Sequence, residues 1–231
     1  MKITKNNKTY SFTPNNDWLE HFKINQTVTQ NDIYESHDIT VEMTGRLLVC
    51  NDKSKMKQFC NKIISETYEE YQNFILEYDK ADNSEKRDKW IYNILDGISE
   101  QEQIIYSDES VIILPNYRWN GIDMNKLHIL VIPRNKSLRS IRSLDSSHVE
   151  LLEHCKSTAS EIIKSIYDVD SSSLKMFFHY APTTWHLHIH CVHINNNESN
   201  SSVEYCHELS SVIYNLSICS DYYKNVLNKR I

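Results

Sequence analysis

The stretch HYAPTTWHLHIHCVHI, residues 179–194, carries a histidine at every second position near its middle. The histidines His186, His188 and His190 alternate with Leu187, Ile189 and Cys191. Successive side chains of a β-strand point to opposite faces, so the spacing predicts a strand over residues 186–193. One face of that strand would carry the imidazoles, and the other would lie against a core.

Three imidazoles on one face fit three interpretations: the polar side of a strand, a metal site or a nucleophilic site. Neutral imidazole is the commonest metal ligand, but no Asp or Glu between Asp170 and Glu198 is present to orient such ligands. Histidine can also attack phosphorus and form a covalent intermediate. The central histidine would have a neighbour about 7 Å away on each side, within reach of the oxygens of one phosphate.

Composition limits the partners. The chain has 231 residues, 40% of them hydrophobic, which suffices for one good core with a smaller domain in front of it. Its 25 basic and 31 acidic residues give a formal charge of −6, which argues against binding to long nucleic acid or an anionic membrane. The three glycines, Gly45, Gly97 and Gly121, stand too far apart for a P-loop or a dinucleotide fingerprint. Phosphate chemistry here would use side chains.

The spacing of the cysteines and the N-terminal sequence indicate where in the cell the protein is located. The six cysteines form no CxxC pair, as expected of free thiols in a reducing compartment. The N-terminus lacks an apolar signal region, and no apolar stretch approaches the ~18 residues of a membrane span. The sequence therefore predicts a protein without a membrane segment, located in the cytoplasm and in addition in the nucleus.

Hydrophobic periodicity predicts an α+β fold. Helices are predicted from about Ser54 to residue 78, over residues 89–95, from a capping box of Ser147 and Glu150 to residue 167, and over residues 203–216. Strands are predicted over residues 39–43, 47–50, 103–106, 111–115, 126–133, 174–179 and 186–193. The basic residues Arg134, Lys136, Arg139 and Arg142 are predicted to lie in a solvated connection.

HLHIHCVH carries the H-x-H-x-H pattern of the histidine triad hydrolases. Together with NDIY at residues 31–34, KWIYNIL, YRWN, LRSIRSL and the stretch HYAPTTW, it resembles the scavenger mRNA decapping enzymes, which hydrolyse 7-methylguanosine cap dinucleotides. The resemblance runs in order from about Asn31 to the last helix.

The resemblance implies an architecture. Residues 1–96 would form a small α+β dimerisation and lid domain, and residues 97–231 a histidine triad domain with an antiparallel sheet and helices. It also implies a homodimer with exchanged N-terminal segments and a reaction without metal or organic cofactor. The substrate would be a cap dinucleotide or short capped RNA.

The resemblance also implies the catalytic roles. His188 would attack the phosphate next to 7-methylguanosine, and water would then release 7-methyl-GMP from the intermediate. His179, His186 and His190 would bind and polarise the phosphates, with Thr183 and Thr184 in the loop that contacts them.

Further residues would hold the rest of the substrate. Trp90 matches a tryptophan that stacks on the methylated base, and Glu100 matches a carboxylate that reads its Watson–Crick edge. The remaining candidates are Pro115, Asn116, Tyr117 and Arg118, and in the first domain Asn31, Tyr34 and Lys55.

Four positions depart from the family pattern. Asn116 stands for Asp, Tyr117 for an aliphatic residue, Thr184 for Tyr and Tyr205 for Arg. Two alternatives therefore remain open at this point: hydrolysis of other dinucleotides, such as diadenosine polyphosphates or signalling nucleotides, and nucleotide binding without chemistry.

Overall fold

The computed structural model describes residues 2–5, 8–11, 23–30, 34–40, 44–50, 63–81, 87–197 and 201–230. The fold is α+β, as the sequence predicted. The chain divides into two compact units, residues 1–61 and 62–231. The sequence prediction placed a domain boundary at residue 96, whereas the helices before that residue belong to the second unit.

The first unit contains two antiparallel sheets. One pairs β1 (Lys2–Lys5) with β2 (Lys8–Ser11). The other has the order β3-β4-β5 and comprises β3 (Lys23–Gln30), β4 (Tyr34–Thr40) and β5 (Thr44–Cys50). The strand predicted over residues 47–50 lies within β5, whereas the strand predicted over residues 39–43 overlaps β4 only at residues 39–40, and residues 41–43 lie outside the described residues.

The second unit is built around a six-stranded antiparallel sheet of order β12-β10-β11-β9-β8-β7. Its strands are β7 (Tyr106–Ser107), β8 (Val111–Pro115), β9 (His128–Pro133), β10 (Leu174–His179), β11 (Ile189–His193) and β12 (Cys206–Glu208). A separate pair joins β6 (Ile63–Glu66) to β13 (Leu227–Arg230). The helices are α1 (Tyr68–Lys80), α2 (Lys89–Leu95), α3 (Val149–Tyr167) and α4 (Leu209–Ile218).

One face of the sheet forms the larger core. Alternate strand residues such as Val131, Ile189 and Cys191 are fully buried there. They belong to one cluster with the apolar stripes of α3 and α4. Leu187 joins the same cluster, which confirms that the residues between the histidines face the core.

The opposite face of the sheet is only partly covered. Ile112, Leu114, Leu130 and Ile132 form a small core there with the apolar side of the short helix α2. His190 pairs with Leu130 across the β9–β11 ladder, so it shares this face, as does His128 two residues before Leu130. The histidine face therefore lies beside the helix that carries Trp90.

The basic connection before α3 is solvated only in part: Lys136 is half exposed, as predicted, but the prediction is wrong for Arg139 and Arg142. Arg142 is fully buried and donates to the Glu66 carbonyl at 2.7 Å, the Tyr223 carbonyl at 3.1 Å and the Tyr180 hydroxyl at 3.1 Å. Arg139 is mostly buried and pairs with Asp79 at 2.9 Å. Burial of a guanidinium requires such partners, and all of Arg142's lie far away in the sequence.

Helix starts also differ from the prediction. The first long helix begins at Tyr68, where Thr67 and Glu70 form a capping box, and the strand β6 precedes it; most of the predicted earlier turns lie outside the described residues. The last helix begins at Leu209 because Cys206 pairs with His179 in the sheet. Before α3, the capping box uses Asp145 and His148 rather than Ser147 and Glu150.

Two further predictions need correction. Residues 101–103 form a 3-10 turn, and the strand predicted over residues 103–106 is reduced to Tyr106–Ser107. The helix predicted over residues 89–95 is confirmed. Within the described part of the chain, no helix is both long and apolar enough to cross a membrane.

Candidate active site

The histidine segment enters the sheet later than its spacing predicts. The strand β11 begins at Ile189, so His186 and His188 lie in the connection before it. There the backbone N–H of Leu187 donates to the Leu138 carbonyl at 2.7 Å, outside the sheet ladder. The alternation survives without a strand because Leu187 remains anchored in the core.

His188 has a defined tautomer. Its Nδ1 lies 2.7 Å from the backbone carbonyl of His186, and a carbonyl can only accept. Nδ1 therefore carries the proton, and Nε2 keeps its lone pair. Desolvation lowers the pKa of His188, so the ring is neutral near pH 7. A neutral imidazole with one free nitrogen is the form that can attack phosphorus.

The buried ring of His186 anchors the segment that leads into β11. Its ring is fully buried, its Nε2 donates to the Pro133 carbonyl at 2.8 Å, and it meets Tyr92 edge-on at 5.5 Å between centroids. Burial lowers the pKa of His186 to about 4. The resemblance implied phosphate contact, but the donating nitrogen of this ring is already engaged, and the His186 carbonyl holds His188.

His190 contacts both His188 and His179. The ring centroids of His190 and His188 are 5.0 Å apart, and those of His190 and His179 are 4.2 Å apart. His179 also stacks on Tyr205 at 4.2 Å. Burial, with the neighbouring histidines, holds the pKa of His190 well below its usual value. The site therefore places three adjacent imidazoles around one space.

A fourth imidazole contacts this group. His128 Nε2 lies 2.9 Å from His190 Nδ1, and burial lowers the pKa of His128 to about 4. The positive charges of His179 and Arg118 lower the pKa of His128 further. Among the described residues, the buried Nε2 of His190 has no hydrogen-bond partner. Neutral imidazoles beside a cation suit an anionic phosphate, whose charge would raise their pKa values on binding.

Trp90 reaches the loop in front of the histidines. Its Nε1 donates to the Thr184 hydroxyl at 3.2 Å, and its ring packs against the small core under α2. Thr184 is buried, whereas Thr183 is exposed. The predicted base-stacking residue and a predicted phosphate-loop residue are thus in direct contact.

The turn after β8 lies against His128. The backbone N–H of Asn116 donates to the His128 carbonyl at 2.8 Å, and Asn116 Oδ1 accepts from the Arg118 N–H at 2.9 Å. Arg118 Nε donates to the hydroxyl of the exposed Tyr117 at 2.9 Å. Pro115 ends β8 opposite Ile129. Asn116 and Arg118 therefore lie in a turn held against His128, whereas Pro115 pairs with Ile129, whose side chain faces the larger core on the other side of the sheet.

Glu100 lies in the turn after α2, half-exposed and in left-handed backbone with φ of 55°. Gln101 fixes this turn because its Nε2 donates to the Ile94 carbonyl at 3.0 Å. Among the described residues, no hydrogen bond joins Glu100 to Trp90 or to the histidines.

Residues 89–205 match the family described as scavenger mRNA decapping enzyme C-term binding. The chain is 31% identical over 209 residues to the m7GpppX diphosphatase of Ascaris suum, covering 85% of this chain and 69% of that protein. The chain belongs to the scavenger mRNA decapping enzyme family.

Other proteins are also similar to this chain. The m7GpppX diphosphatase of Homo sapiens is 28% identical over 167 residues, which is 71% of this chain and 49% of the human protein. This decapping family member thus spans about half of the human relative. The solved structure of the aprataxin ortholog Hnt3 in complex with DNA covers 56% of this chain and 75% of its own, at 15% identity and a TM-score of 0.44.

Some predicted site residues of this decapping family member lie beyond what the structure describes. Asn31 and Lys55 are outside the described residues. For Tyr34 the structure describes only the backbone, at the start of β4. Their predicted contacts with the substrate remain predictions.

Sequence reasoning missed His128. It opens the strand HILVIP two residues from Leu130, the partner of His190, so it is a diagonal neighbour of His190. The sequence feature that could have identified His128 is a histidine at the first position of a buried apolar strand. Among the residues that the structure describes, no three His, Cys, Asp or Glu side chains lie close enough together to hold a metal ion.

Proposed function

We propose that the protein hydrolyses 7-methylguanosine cap dinucleotides or short capped RNA to 7-methyl-GMP and a nucleotide that ends in a diphosphate. The observation that carries the proposal is His188, whose Nε2 is left unprotonated by the Nδ1–H bond to His186. The membership of the decapping family and the names of the diphosphatase relatives support the same reaction.

The proposed chemistry has two displacements. His188 Nε2 forms a bond to the phosphorus next to 7-methylguanosine, while the bridging P–O bond breaks and its electron pair leaves with the nucleoside diphosphate. Water then attacks the same phosphorus, the P–N bond breaks, and 7-methyl-GMP departs as the water proton passes to solvent. Each step is easier than direct hydrolysis because imidazole is both a good nucleophile and a good leaving group.

The other imidazoles would act on the phosphate oxygens. If His128 donates Nε2–H to His190 Nδ1, then His190 Nε2 carries a hydrogen and can donate to phosphate. His179 lies beside it, and Arg118 supplies a permanent positive charge. These donors would stabilise negative charge as it develops on the transferred group.

Recognition of the methylated base would rest on Trp90 and Glu100. Methylation at N7 makes guanine cationic, which strengthens stacking on the indole face. A carboxylate such as Glu100 can accept from guanine N1–H and N2–H together, which adenine cannot offer. The Pro115 carbonyl would add an acceptor, and the exposed ring of Tyr117 would close the other face of the base.

The deciding experiment is incubation with 7-methyl-GpppG and with GpppG in excess EDTA. We expect 7-methyl-GMP as product, faster turnover of the methylated substrate, and full activity without metal. A requirement for added metal would refute the metal-free reaction, and equal turnover of both substrates would refute cap specificity.

The covalent step has its own test. Rapid quenching of enzyme with substrate labelled at the phosphate next to 7-methylguanosine should trap label on protein in an acid-labile, base-stable linkage. His188→Gln should abolish both the trapped label and turnover. A trapped adduct that survives in this variant would move the nucleophile elsewhere.

One observation favours a different substrate. Tyr205 stacks on His179, at a position where the family pattern has an arginine, so a cation near the phosphates is replaced by an aromatic ring. A panel with diadenosine polyphosphates would detect the broader dinucleotide hydrolase, and tight binding with zero turnover would identify a nucleotide-binding protein instead.

The proposed assembly is a homodimer with exchanged N-terminal segments. Light scattering on a sizing column measures it directly: twice the monomer mass is expected, and a monomer that is fully active would contradict it. The proposed location is the cytoplasm; the buried free thiols of Cys155 and Cys191 are compatible with a reducing compartment.

A further inference from the structure

Asp88 is a buried carboxylate with an unusual set of partners. It stands at the residue before α2 and is fully buried, yet its side chain makes no capping bond to that helix. Its Oδ1 instead accepts the backbone N–H of Trp185 at 2.9 Å and the hydroxyl of Tyr78 at 3.2 Å. The carboxylate therefore points away from its own helix and toward the loop before the histidines.

A second hydrogen bond runs beside the first. Trp90, two residues after Asp88, donates its Nε1 to Thr184 at 3.2 Å, and Thr184 directly precedes Trp185. The start of α2 is thus joined to two adjacent loop residues by two bonds. Trp185 is itself fixed in an aromatic cluster, with its ring 4.9 Å from that of Phe74.

The charged partner of Asp88 is a different residue, Arg139, at a longer distance. Arg139 Nη2 lies 3.6 Å from Oδ2, while the same guanidinium nitrogen is 2.9 Å from Asp79. Within the described residues, Oδ2 accepts no hydrogen bond. Arg139 therefore compensates the charge of the carboxylate, and the close bonds are made by Oδ1 alone.

We propose that Asp88 is a positioning residue that fixes Trp90 relative to the loop leading to His188. This inference rests on the proposed function, in which Trp90 holds the methylated base. Because the loop continues directly into the nucleophile, the two bonds would set the distance between the stacked base and His188 Nε2. A substrate held by its base would then present its phosphorus in line with that nitrogen.

The consequence is a selective effect on methylated substrate. A misplacement of about 1 Å between reacting groups can lower the rate by about a hundredfold. Only a substrate that stacks on Trp90 gains from the correct spacing, so loss of Asp88 should act mainly on 7-methyl-GpppG. A carboxylate with a merely structural role would affect both substrates alike.

The test compares kcat/KM for 7-methyl-GpppG and GpppG in the full-length protein. Asp88→Ala should lower the value for the methylated substrate at least about tenfold and that for GpppG much less, since one buried hydrogen bond and the alignment it provides are lost. Asp88→Asn should keep the wild-type ratio because an amide oxygen can still accept from Trp185. Asp79→Asn, which alters only the other partner of Arg139, is the control and should keep the ratio.

A second variant covers the case in which Asp88→Ala does not fold. Thr184→Val is nearly isosteric and removes the parallel bond to Trp90; loss of its predicted phosphate contact would slow both substrates alike, so the ratio should still fall. An unchanged ratio in every one of these variants that folds would overturn the role of Asp88. A wild-type protein with no preference for the methylated substrate would instead remove the proposed function itself, so the two failures are distinguishable.

Discussion

At the scale of single residues, the histidines of the site differ in what their nitrogens contact. His188 and His186 each donate to a backbone carbonyl, whereas His190 faces another imidazole, His128. Carbonyl partners fix the tautomer of a ring, and that choice leaves His188 with a nucleophilic nitrogen while His186 serves as its support. Equivalent residues in the sequence pattern thus have different chemical roles.

The buried His186 predicts how stability depends on pH. Its pKa in the folded protein is about 4, against 6.5 in the unfolded chain, so only the unfolded chain takes up this proton as the pH falls. Stability is complete above pH 6.5 and declines between pH 6.5 and pH 4. From pH 7.5 to pH 5 this one residue should lower the free energy of unfolding by about 2 kcal/mol.

Urea unfolding of the wild type and of His186→Gln at both pH values measures this effect. The glutamine can still donate to the Pro133 carbonyl but has no titrating ring, so the variant should lose about 2 kcal/mol less on acidification. Equal losses in the two proteins would show that His186 is not the group responsible.

His128 predicts a loss of catalytic efficiency. His128→Phe keeps the aromatic packing but leaves His190 Nδ1 without its partner, so His190 no longer has a fixed tautomer. We expect kcat/KM for 7-methyl-GpppG to fall about tenfold, the magnitude of one lost hydrogen bond in a buried site. The control is His193→Phe, at the far end of β11, where the ring accepts only from the Asn195 N–H. Comparable losses in the two variants would contradict a special role for His128.

The sequence indicated which residues lie on the histidine face, but it did not indicate the tautomers of the histidines. The alternation of histidines with Leu187, Ile189 and Cys191 was enough to separate the core from the site. The tautomers depend on where the His186 and Pro133 carbonyls lie, and no side-chain pattern reports that. His128 is 62 positions from His190, and only the strand register brings them together.

At the scale of elements, the segment of residues 180–188 is held by contacts outside the sheet. Leu187 bonds to the Leu138 carbonyl, Trp185 to Asp88, and Tyr180 to the Tyr205 carbonyl. The connection is therefore fixed from three sides without being a strand. This explains how His188 can project from a loop and still keep one orientation.

Long-range partners also account for the wrong element predictions. Cys206 lies on an apolar stripe that continues into α4, so periodicity assigns it to the helix, but its backbone pairs with His179. Arg142 looks like surface charge because Glu66 and Asn225 are 76 and 83 positions away. Local sequence fixes amphipathic faces such as those of α2 and α3, whereas ends and buried ion partners are decided by tertiary contacts.

Arg142 predicts a large loss of stability on substitution. It bonds to the Glu66 carbonyl in β6, to the Tyr180 hydroxyl and to the carbonyls of Tyr223 and Asn225 before β13. Arg142→Met keeps most of the volume but leaves these acceptors buried and unpaired. The free energy of unfolding in urea should fall by about 3 to 5 kcal/mol.

The matched control for Arg142 is a surface pair. Lys164 is half exposed and bonds to Asp168 at 2.6 Å on the outside of α3. Lys164→Met should leave the urea midpoint of unfolding almost unchanged, because exposed ion pairs contribute little to stability. Similar losses in both variants would mean that Arg142 acts as an ordinary surface charge.

At the scale of the whole molecule, the net charge of the protein is negative, whereas the site contains a cation. The formal charge is −6, yet Arg118 lies beside a group of neutral imidazoles. A short anionic substrate meets mainly the local cation and the imidazole donors. A long RNA would extend beyond the site along a protein with a net negative charge, and this net charge would repel it.

This contrast predicts opposite salt responses for short and long substrates. At 25 mM salt, repulsion acts over roughly 20 Å, whereas at 200 mM it is screened within about 7 Å. Therefore kcat/KM for a capped RNA of twenty nucleotides should be lower than for 7-methyl-GpppG at low salt and should rise with added salt. The value for the dinucleotide should stay level or fall, because salt weakens only its local attraction.

Uncapped RNA of the same length provides the control: at low salt it should not inhibit cleavage of 7-methyl-GpppG. A basic surface would give the reverse, with inhibition by uncapped RNA and a steep loss of capped-RNA cleavage as salt rises, since counterion release dominates such binding. That outcome would contradict the charge argument. Under the proposed function, the expected outcome would mean that the net negative charge of the protein selects against long substrates.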